Sequence, residues 1–369
     1  MILSNPNAIF VFVGTYTQTG AGLPERPEGL FVFKLNPSSG SLEPVQAVTG
    51  VSNPTFLSLT PDNRYLYAVN ELVEFKGQAG GGISAFSVDP ASGQLKLINS
   101  QPTLGGLPCY VSIDPVNRYV WVANYAGGSA VIFPILKDGS LAAAAAVIQH
   151  AGHGLNPQRQ EKPHVHSVTL DPQNQFALAA DLGLDKILVY RTHDVYQKAA
   201  AGPVFEAASE PGAGPRHLAF HPNPRFVYAV HELSATVSCY TFDHQTGALH
   251  QIQNLPTLPA DFHGMNLCAD VHVTPGGEFL YVSNRGHDCI ARFAIDRLTG
   301  RLTLLGYTPT LGNTPRNFAI TPDGRLLLVA NQQSDSIVAF RIDSSTGGLI
   351  PTGEVARVPS PACIKVFAV

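Results

Sequence analysis

Apolar runs rich in Val, Phe, Leu and Tyr alternate with turns built from Pro, Gly, Asn and Asp along the whole chain. A recurring unit reads Pro, two or three residues, a short apolar run, a tight turn of the Pro-Asp/Asn-Arg type, and a second apolar run. It opens at Pro54, Pro108, Pro163, Pro215, Ala269 in a degraded copy, Pro315 and Pro361, at intervals of 54, 55, 52, 54, 46 and 46 residues. Runs of this composition favour strands, and the intervening residues favour tight turns. A period of about 50 residues signals a solenoid, a propeller or an array. The seventh copy, 361–369, has room for one strand only, while 9–14 and 29–35 supply two strands and Gly40 a turn. A solenoid does not need its ends to complete each other. A ring does, because circular pairing leaves no open sheet edge. The pattern therefore predicts an all-β fold, a seven-bladed β-propeller of four-stranded antiparallel blades. Its ring is closed by N- and C-terminal strands in one shared blade, and residues 1–369 form a single domain.

The copy opened by Pro215 shows the expected blade. Residues 217–220 form a first strand, 221–225 a tight turn, 226–230 a second strand and 236–242 a third, and Gly247-Ala248-Leu249 turns into a fourth. The Gly-x-Leu turn recurs at Gly40, Gly93, Gly139, Gly247, Gly300 and Gly347, and is missing only from the Pro163 copy, where 192–202 intervenes. An up-and-down path sorts the connections by face. Turns between first and second strands and between third and fourth lie on one face and are short. The other face carries the long segments 18–28, 72–82, 149–162 and 257–267. Long loops on one face of a rigid scaffold are where function usually sits, so that face is the expected active mouth.

Composition narrows the classes. Charged residues make up 14% of the 369, well under the roughly 25% of average domains, as expected where sheets are buried on both faces. The net charge of −4 gives no broad basic footprint for nucleic acid. Five cysteines without framework spacing suggest free thiols in a reducing compartment. The N-terminus lacks a basic n-region, and no run approaches the roughly 20 apolar residues of a membrane helix. The expectation is a cytoplasmic protein with no nucleic-acid or membrane partner, its oligomeric state (monomer or weak dimer) left open.

Three alignment columns reach the expected mouth. Asn70, Asn124, Asp181, His231, Asn284 and Asn331 form a nearly uniform column at the end of the second strands, expected to cap them by hydrogen bonds. The neighbouring columns diverge: Thr55, Cys109, His166, Arg216, Ala269 and Arg316 at the start of the inner strands, and Glu71, Tyr125, Leu182, Glu232, Arg285 and Gln332 after the caps. A scaffold has no reason to diversify its rim, whereas a binding site does. Arginine presents a planar fork to carboxylate or phosphate, so Arg216, Arg285 and Arg316 around one funnel point to a small anionic ligand. His166 is expected to titrate near neutrality and to act as general base. Glu232 would orient it, share the acid/base work or pair with an arginine. The blander alternatives are interblade ion pairs for the arginines and a packed, carbonyl-bonded His166. His150, His153, His164 and His166 fall close together, and His164-x-His166 on a strand would point both rings to one side, as in part of a zinc or iron site. No carboxylate partner is fixed, 150–162 reads as a mobile loop, and the expectation is no metal and no cofactor.

Several stretches carry a resemblance: Val13-Gly-Thr-Tyr-Thr17, Asn53-Pro-Thr-Phe56, Pro163-His-Val-His-Ser167, Gly214-Pro-Arg-His217, His231-Glu-Leu233, Ser283-Asn-Arg-Gly286 and Thr314-Pro-Arg-Asn-Phe318. Over nearly its whole length the chain resembles the seven-bladed lactonases, the family of propeller-type 6-phosphogluconolactonases and carboxy-cis,cis-muconate cyclases. The resemblance implies a hydrolase opening a phosphorylated sugar lactone, and general-base activation of water beside arginines would suffice for it without a metal. Its catalytic set falls on His166, Arg216, Arg285 and Glu232, with Arg316 at a further basic position and Asp270 at a familiar acidic one. On this reading His166, Glu232 and Arg285 are catalytic, and Arg216, Arg316, His164, Asp270, Glu71 and Tyr125 bind substrate. Cycloisomerase chemistry on a polycarboxylate and a non-catalytic binding propeller are the alternatives.

Overall fold

The computed structural model describes residues 8–18, 25–197 and 202–368. Parts of the 18–28 loop and of the 192–202 insertion, and the N-terminal residues 1–7 read for targeting signals, therefore lie outside the described residues. Seven four-stranded antiparallel sheets form the blades. Six follow chain order from the inner strand outward, with inner strands Leu57–Leu59, Pro108–Ile113, Val165–Leu170, Pro215–Phe220, Leu267–Val273 and Pro315–Ile320. In the seventh, Pro361–Ala368 is innermost and Ile9–Thr15, Glu28–Leu35 and Leu42–Thr49 complete the sheet. Ile9–Thr15 pairs with both neighbours, from Ile9↔Leu35 on one side and Ile9↔Ala368 on the other. Pro361–Ala368 also packs against Leu57–Leu59 of the first blade, which closes the ring.

Burial follows from the architecture. Second strands such as Phe176–Asp181, Phe226–His231 and Leu326–Asn331 are buried at every position, since a sheet in the middle of a ring has a neighbour on each face. Outer strands alternate, as Leu349–Arg357 does, because one face is wet. The Gly-x-Leu glycines are interblade keys as well as turns. Gly300 has φ +71°, and a Cβ there would lie 2.4 Å from the Phe226 ring of the preceding blade. Tyr228 of that blade donates its hydroxyl to the Gly300 carbonyl at 2.9 Å, and Tyr67→Gly139 and Tyr281→Gly347 repeat the bond at 2.9 and 3.0 Å. The blade that lacks the turn replaces it with a short helix, Thr192–Tyr196. Tyr196 stacks on Tyr119 of the preceding blade at 3.9 Å and its hydroxyl accepts from Trp121 Nε1 at 3.1 Å.

The cap column behaves as expected except at His231, whose Nε2 bonds Ser238 of its own blade at 2.8 Å. Asn70, Asn124, Asn284 and Asn331 donate Nδ2 to the carbonyls of Ser52, Thr103, Thr257 and Thr310, pinning each interblade connection to a second strand. One difference bears on function. The inner strand of the Pro215 blade starts at Pro215, two residues before the expected 217, because the pairing slips there: Pro215↔His231 is followed by His217↔Val230. Arg216 is the unpaired residue of a β-bulge. The same slip leaves Cys109, His166 and Arg316 unpaired in their blades. A bulge re-aims a side chain and ends regular pairing, so in these four blades the fold repeats one device at the start of the inner strand.

Candidate active site

Glu232 is the centre of the mouth. It follows His231 at the end of the second strand, its amide is held by the Gly214 carbonyl at 2.7 Å, and it is 4% exposed. Its Oε2 accepts from Arg216 Nε and from Arg285 Nη2, each at 2.9 Å, and its Oε1 from Arg159 Nη2. Burial pushes the Glu232 carboxyl up, but the positive charges of Arg285, Arg216 and Arg159 outweigh it and hold the group well below the usual carboxylate range. It is ionised at any physiological pH.

His166 Nε2 stands 3.9 Å from Glu232 Oε2, beyond direct hydrogen bonding. Its Nδ1 lies 3.8 Å from Cys109 Sγ, and its ring meets Tyr125 and His217 edge-on. The expectation that His166 titrates near neutrality is revised. Burial and the neighbouring Arg216 charge push it well below the ordinary histidine value, against the pull of Glu232. It is a neutral imidazole with Nε2 turned toward the carboxylate.

A second cluster lies across the mouth. Arg316 Nη2 donates to the Tyr16 hydroxyl at 2.7 Å, and that hydroxyl donates to Glu71 at 2.9 Å. Thr55 donates to the same carboxylate at 2.5 Å, and the Arg316 guanidinium sits over the Tyr16 ring at 5.2 Å. Tyr16 was absent from the sequence columns because its blade is split between the termini. Counting one residue past Thr15, which pairs with Pro361 as Asn331 pairs with Pro315, would have found it. Arg159 was missed for a different reason, since it belongs to no strand. The 150–162 segment, expected to be mobile, is pinned: fully buried Gln160 donates to the Leu182 carbonyl at 2.9 Å and to Asp185 at 2.7 Å, and accepts from the Asn156 amide at 2.9 Å.

Three expected binding residues are placed otherwise. Arg216 is 2% exposed, with Nε on Glu232 and Nη1 on the Ala269 carbonyl and the His217 ring, so it lies beneath the carboxylate rather than open to a ligand. Asp270 sits one layer deeper. It accepts from His217 Nδ1 at 2.7 Å, His272 Nε2 at 3.0 Å and Asn317 Nδ2. Burial and Arg216 push His217 down to about 3, against Asp270, so His217 is also neutral. His164 is spent behind Tyr125: Nδ1 bonds the Tyr125 carbonyl at 3.0 Å, Nε2 meets Glu161 at 3.2 Å, and the rings stack at 4.4 Å. The histidines weighed as a metal set do not converge. His150 bonds Asp181 and Tyr190, His153 is exposed, and among the described residues no three His, Cys, Asp or Glu side chains are grouped as a metal would need.

The family description "Lactonase, 7-bladed beta-propeller" matches residues 10–366. The chain belongs to the seven-bladed β-propeller lactonase family. Membership places it among the lactone-hydrolysing carboxylic ester hydrolases. It is 36% identical over 310 residues, 83% of each chain, to a 6-phosphogluconolactonase of Bacillus subtilis strain 168. It is also 36% identical to one of Formosa agariphila, over 84% of this chain and 86% of that one. Among solved structures, a periplasmic gluconolactonase of Pseudomonas aeruginosa superposes with TM-score 0.89 at 36% identity, over 98% of this chain and 99% of the other. A protein of Bacteroides fragilis described as a putative 6-phosphogluconolactonase gives 0.88 at 33% identity, over 100% and 99%. Among the described residues no helix is long and apolar enough to cross a membrane.

Proposed function

We propose that this lactonase hydrolyses 6-phosphoglucono-δ-lactone to 6-phosphogluconate without a metal. The observation that carries the reading is a neutral buried imidazole 3.9 Å from a carboxylate fixed by three guanidinium groups. A water between His166 Nε2 and Glu232 Oε2 can donate a proton to the imidazole as its oxygen attacks the lactone carbonyl. The C–O π electrons move onto the carbonyl oxygen, and Arg285, the Glu232 partner with 12% of its side chain exposed, stabilises that oxyanion. Collapse breaks the bond to the ring oxygen, which takes the proton back from His166. A depressed imidazole is a modest base but a strong acid once protonated, which favours this return step. Glu232 stabilises the transient imidazolium and Arg216 locks Glu232. Glu71 and Tyr16 offer an acceptor and a donor to sugar hydroxyls. Positioned acid/base catalysis contributes on the order of 10²–10⁴ in rate, sufficient for an activated ester that water already opens slowly.

The names of the Bacillus and Formosa relatives support the substrate class, and five buried, unpaired cysteines support a reducing, cytoplasmic setting. The test is hydrolysis of freshly made 6-phosphoglucono-δ-lactone against unphosphorylated gluconolactone, each with and without a chelator. Chelator-insensitive acceleration with preference for the phosphorylated lactone is expected. No acceleration over the spontaneous rate would refute the reading.

A further inference from the structure

Three guanidinium groups (Arg159, Arg285 and Arg316) and two carboxylates (Glu71 and Glu232) line the rim, with Arg216 beneath and His166 neutral. Positive charge is left in excess, which favours an anionic ligand. The arginines are not equally able to receive one. Arg216 lies under Glu232, and Arg285 spends Nη2 on Glu232 and the Cys268 carbonyl. Arg159 differs. Of the arginines bonded to Glu232 it is the most open, with 34% of its side chain exposed against 2% for Arg216 and 12% for Arg285. Its bonds to Glu232 and to the Tyr125 hydroxyl, the latter at 3.4 Å, both run through Nη2, so among the described residues Nε and Nη1 make no hydrogen bond.

We propose that Arg159, with the Tyr125 hydroxyl, forms the subsite that receives the phosphate of the substrate. The inference rests on the lactonase reading above and moves phosphate recognition from Arg216, on a strand, to a loop. That loop is built for the purpose. Buried Gln160 anchors it to the blade that carries His166, and the Arg159 amide is fixed by Asn156 at 3.2 Å. Lys162, at its end, places its ammonium on the Ala126 carbonyl at 2.9 Å, beside Tyr125. Nη2 carries two protons, and with one on Glu232 the other, now on Tyr125 at 3.4 Å, can turn with the neighbouring guanidinium nitrogen to two phosphate oxygens, so binding need not break the ion pair. The bridge Glu232–Arg159–phosphate would set the distance between the phosphate and His166, so a lactone without phosphate would lose positioning as well as affinity.

The experiment compares wild type with Arg159→Ala and Arg159→Lys. It measures kcat/KM for phosphorylated and unphosphorylated gluconolactone, and binding of inorganic phosphate by calorimetry. A lost charge-assisted hydrogen-bond pair is expected to lower the preference for the phosphorylated lactone roughly 10- to 100-fold and to weaken phosphate binding by a similar factor. Arg159→Lys, a point charge without the fork, is expected to fall between. An unchanged preference ratio together with unchanged phosphate affinity overturns the proposal. If wild type opens neither lactone yet binds phosphate through Arg159, the anion subsite stands and the proposed substrate falls.

Discussion

Replacing Glu232 by Gln tests the centre of the site, because it preserves shape and removes one charge. In the native protein that carboxylate is the shared counterion of Arg216, Arg285 and Arg159, and Arg216 has almost no access to water. With an amide in its place, guanidinium groups stay desolvated without a counterion, and the amide NH₂ opposes one of them. Breaking a buried ion pair by removing one partner costs about 3–5 kcal/mol. For a 369-residue chain the entropy of unfolding is on the order of 0.8 kcal/mol/K, so this corresponds to a fall in Tm of roughly 4–6 °C. A second readout separates this from generic damage. The variant gains one unit of net positive charge, so inorganic phosphate should raise Tm more in Glu232→Gln than in wild type, by ligand linkage. Thermal unfolding with and without phosphate measures both. A Tm within about 1 °C of wild type, or equal phosphate stabilisation of the two proteins, would refute the view that Glu232 holds the rim together electrostatically.

Other outcomes follow from the same geometry. His166→Ala should lower kcat about 10²–10⁴-fold with little change in KM, and since the wild-type imidazole is already neutral well below pH 6.5, the acid limb of kcat/KM should lie below that value once spontaneous hydrolysis is subtracted. Stability should fall in acid. His217 and His231 are held down to about 3 and about 4 in the fold, so the unfolded chain takes up their protons first, near pH 6.5. Their contribution is complete above pH 6.5 and is reduced by about 2 kcal/mol each at pH 5, measurable by denaturant titration. Glu232 and Asp270, both held low, act in the same direction at still lower pH, as protonation through their folded values removes stability. Tyr16→Phe removes the hydroxyl between Arg316 and Glu71 and should reduce kcat/KM about tenfold or more with an unchanged circular dichroism spectrum. Steady-state kinetics at wild-type rates would contradict that role.

The fold was legible because a repeat states the same local physics many times. Proline openings, apolar runs and Gly-x-Leu turns encode backbone conformation, and a unit cut at one end and resumed at the other encodes closure. The diversified columns identified the mouth for a similar reason: where a scaffold keeps everything else alike, variation marks positions under a different demand. The columns could not say how those side chains meet. Arg216 and Asp270 read as rim residues, yet the bulges and the ring put Arg216 beneath Glu232 and Asp270 a layer below, as supports of the residues above them. His164 and His166 looked like partners, but the bulge at His166 leaves one ring behind Tyr125 and the other facing Glu232. Arg159 lies outside the repeat and reaches the site only because Gln160 pins its loop. Tyr16 and Arg316 are 300 residues apart and become hydrogen-bonded when the terminal strands complete the last blade. Sequence alone determined the periodic backbone and which face carries the long loops, since both depend on short-range propensity. The pairing of charges, and with it the protonation of His166 and Glu232, was decided by tertiary structure, because burial and long-range proximity exist only once the ring has closed.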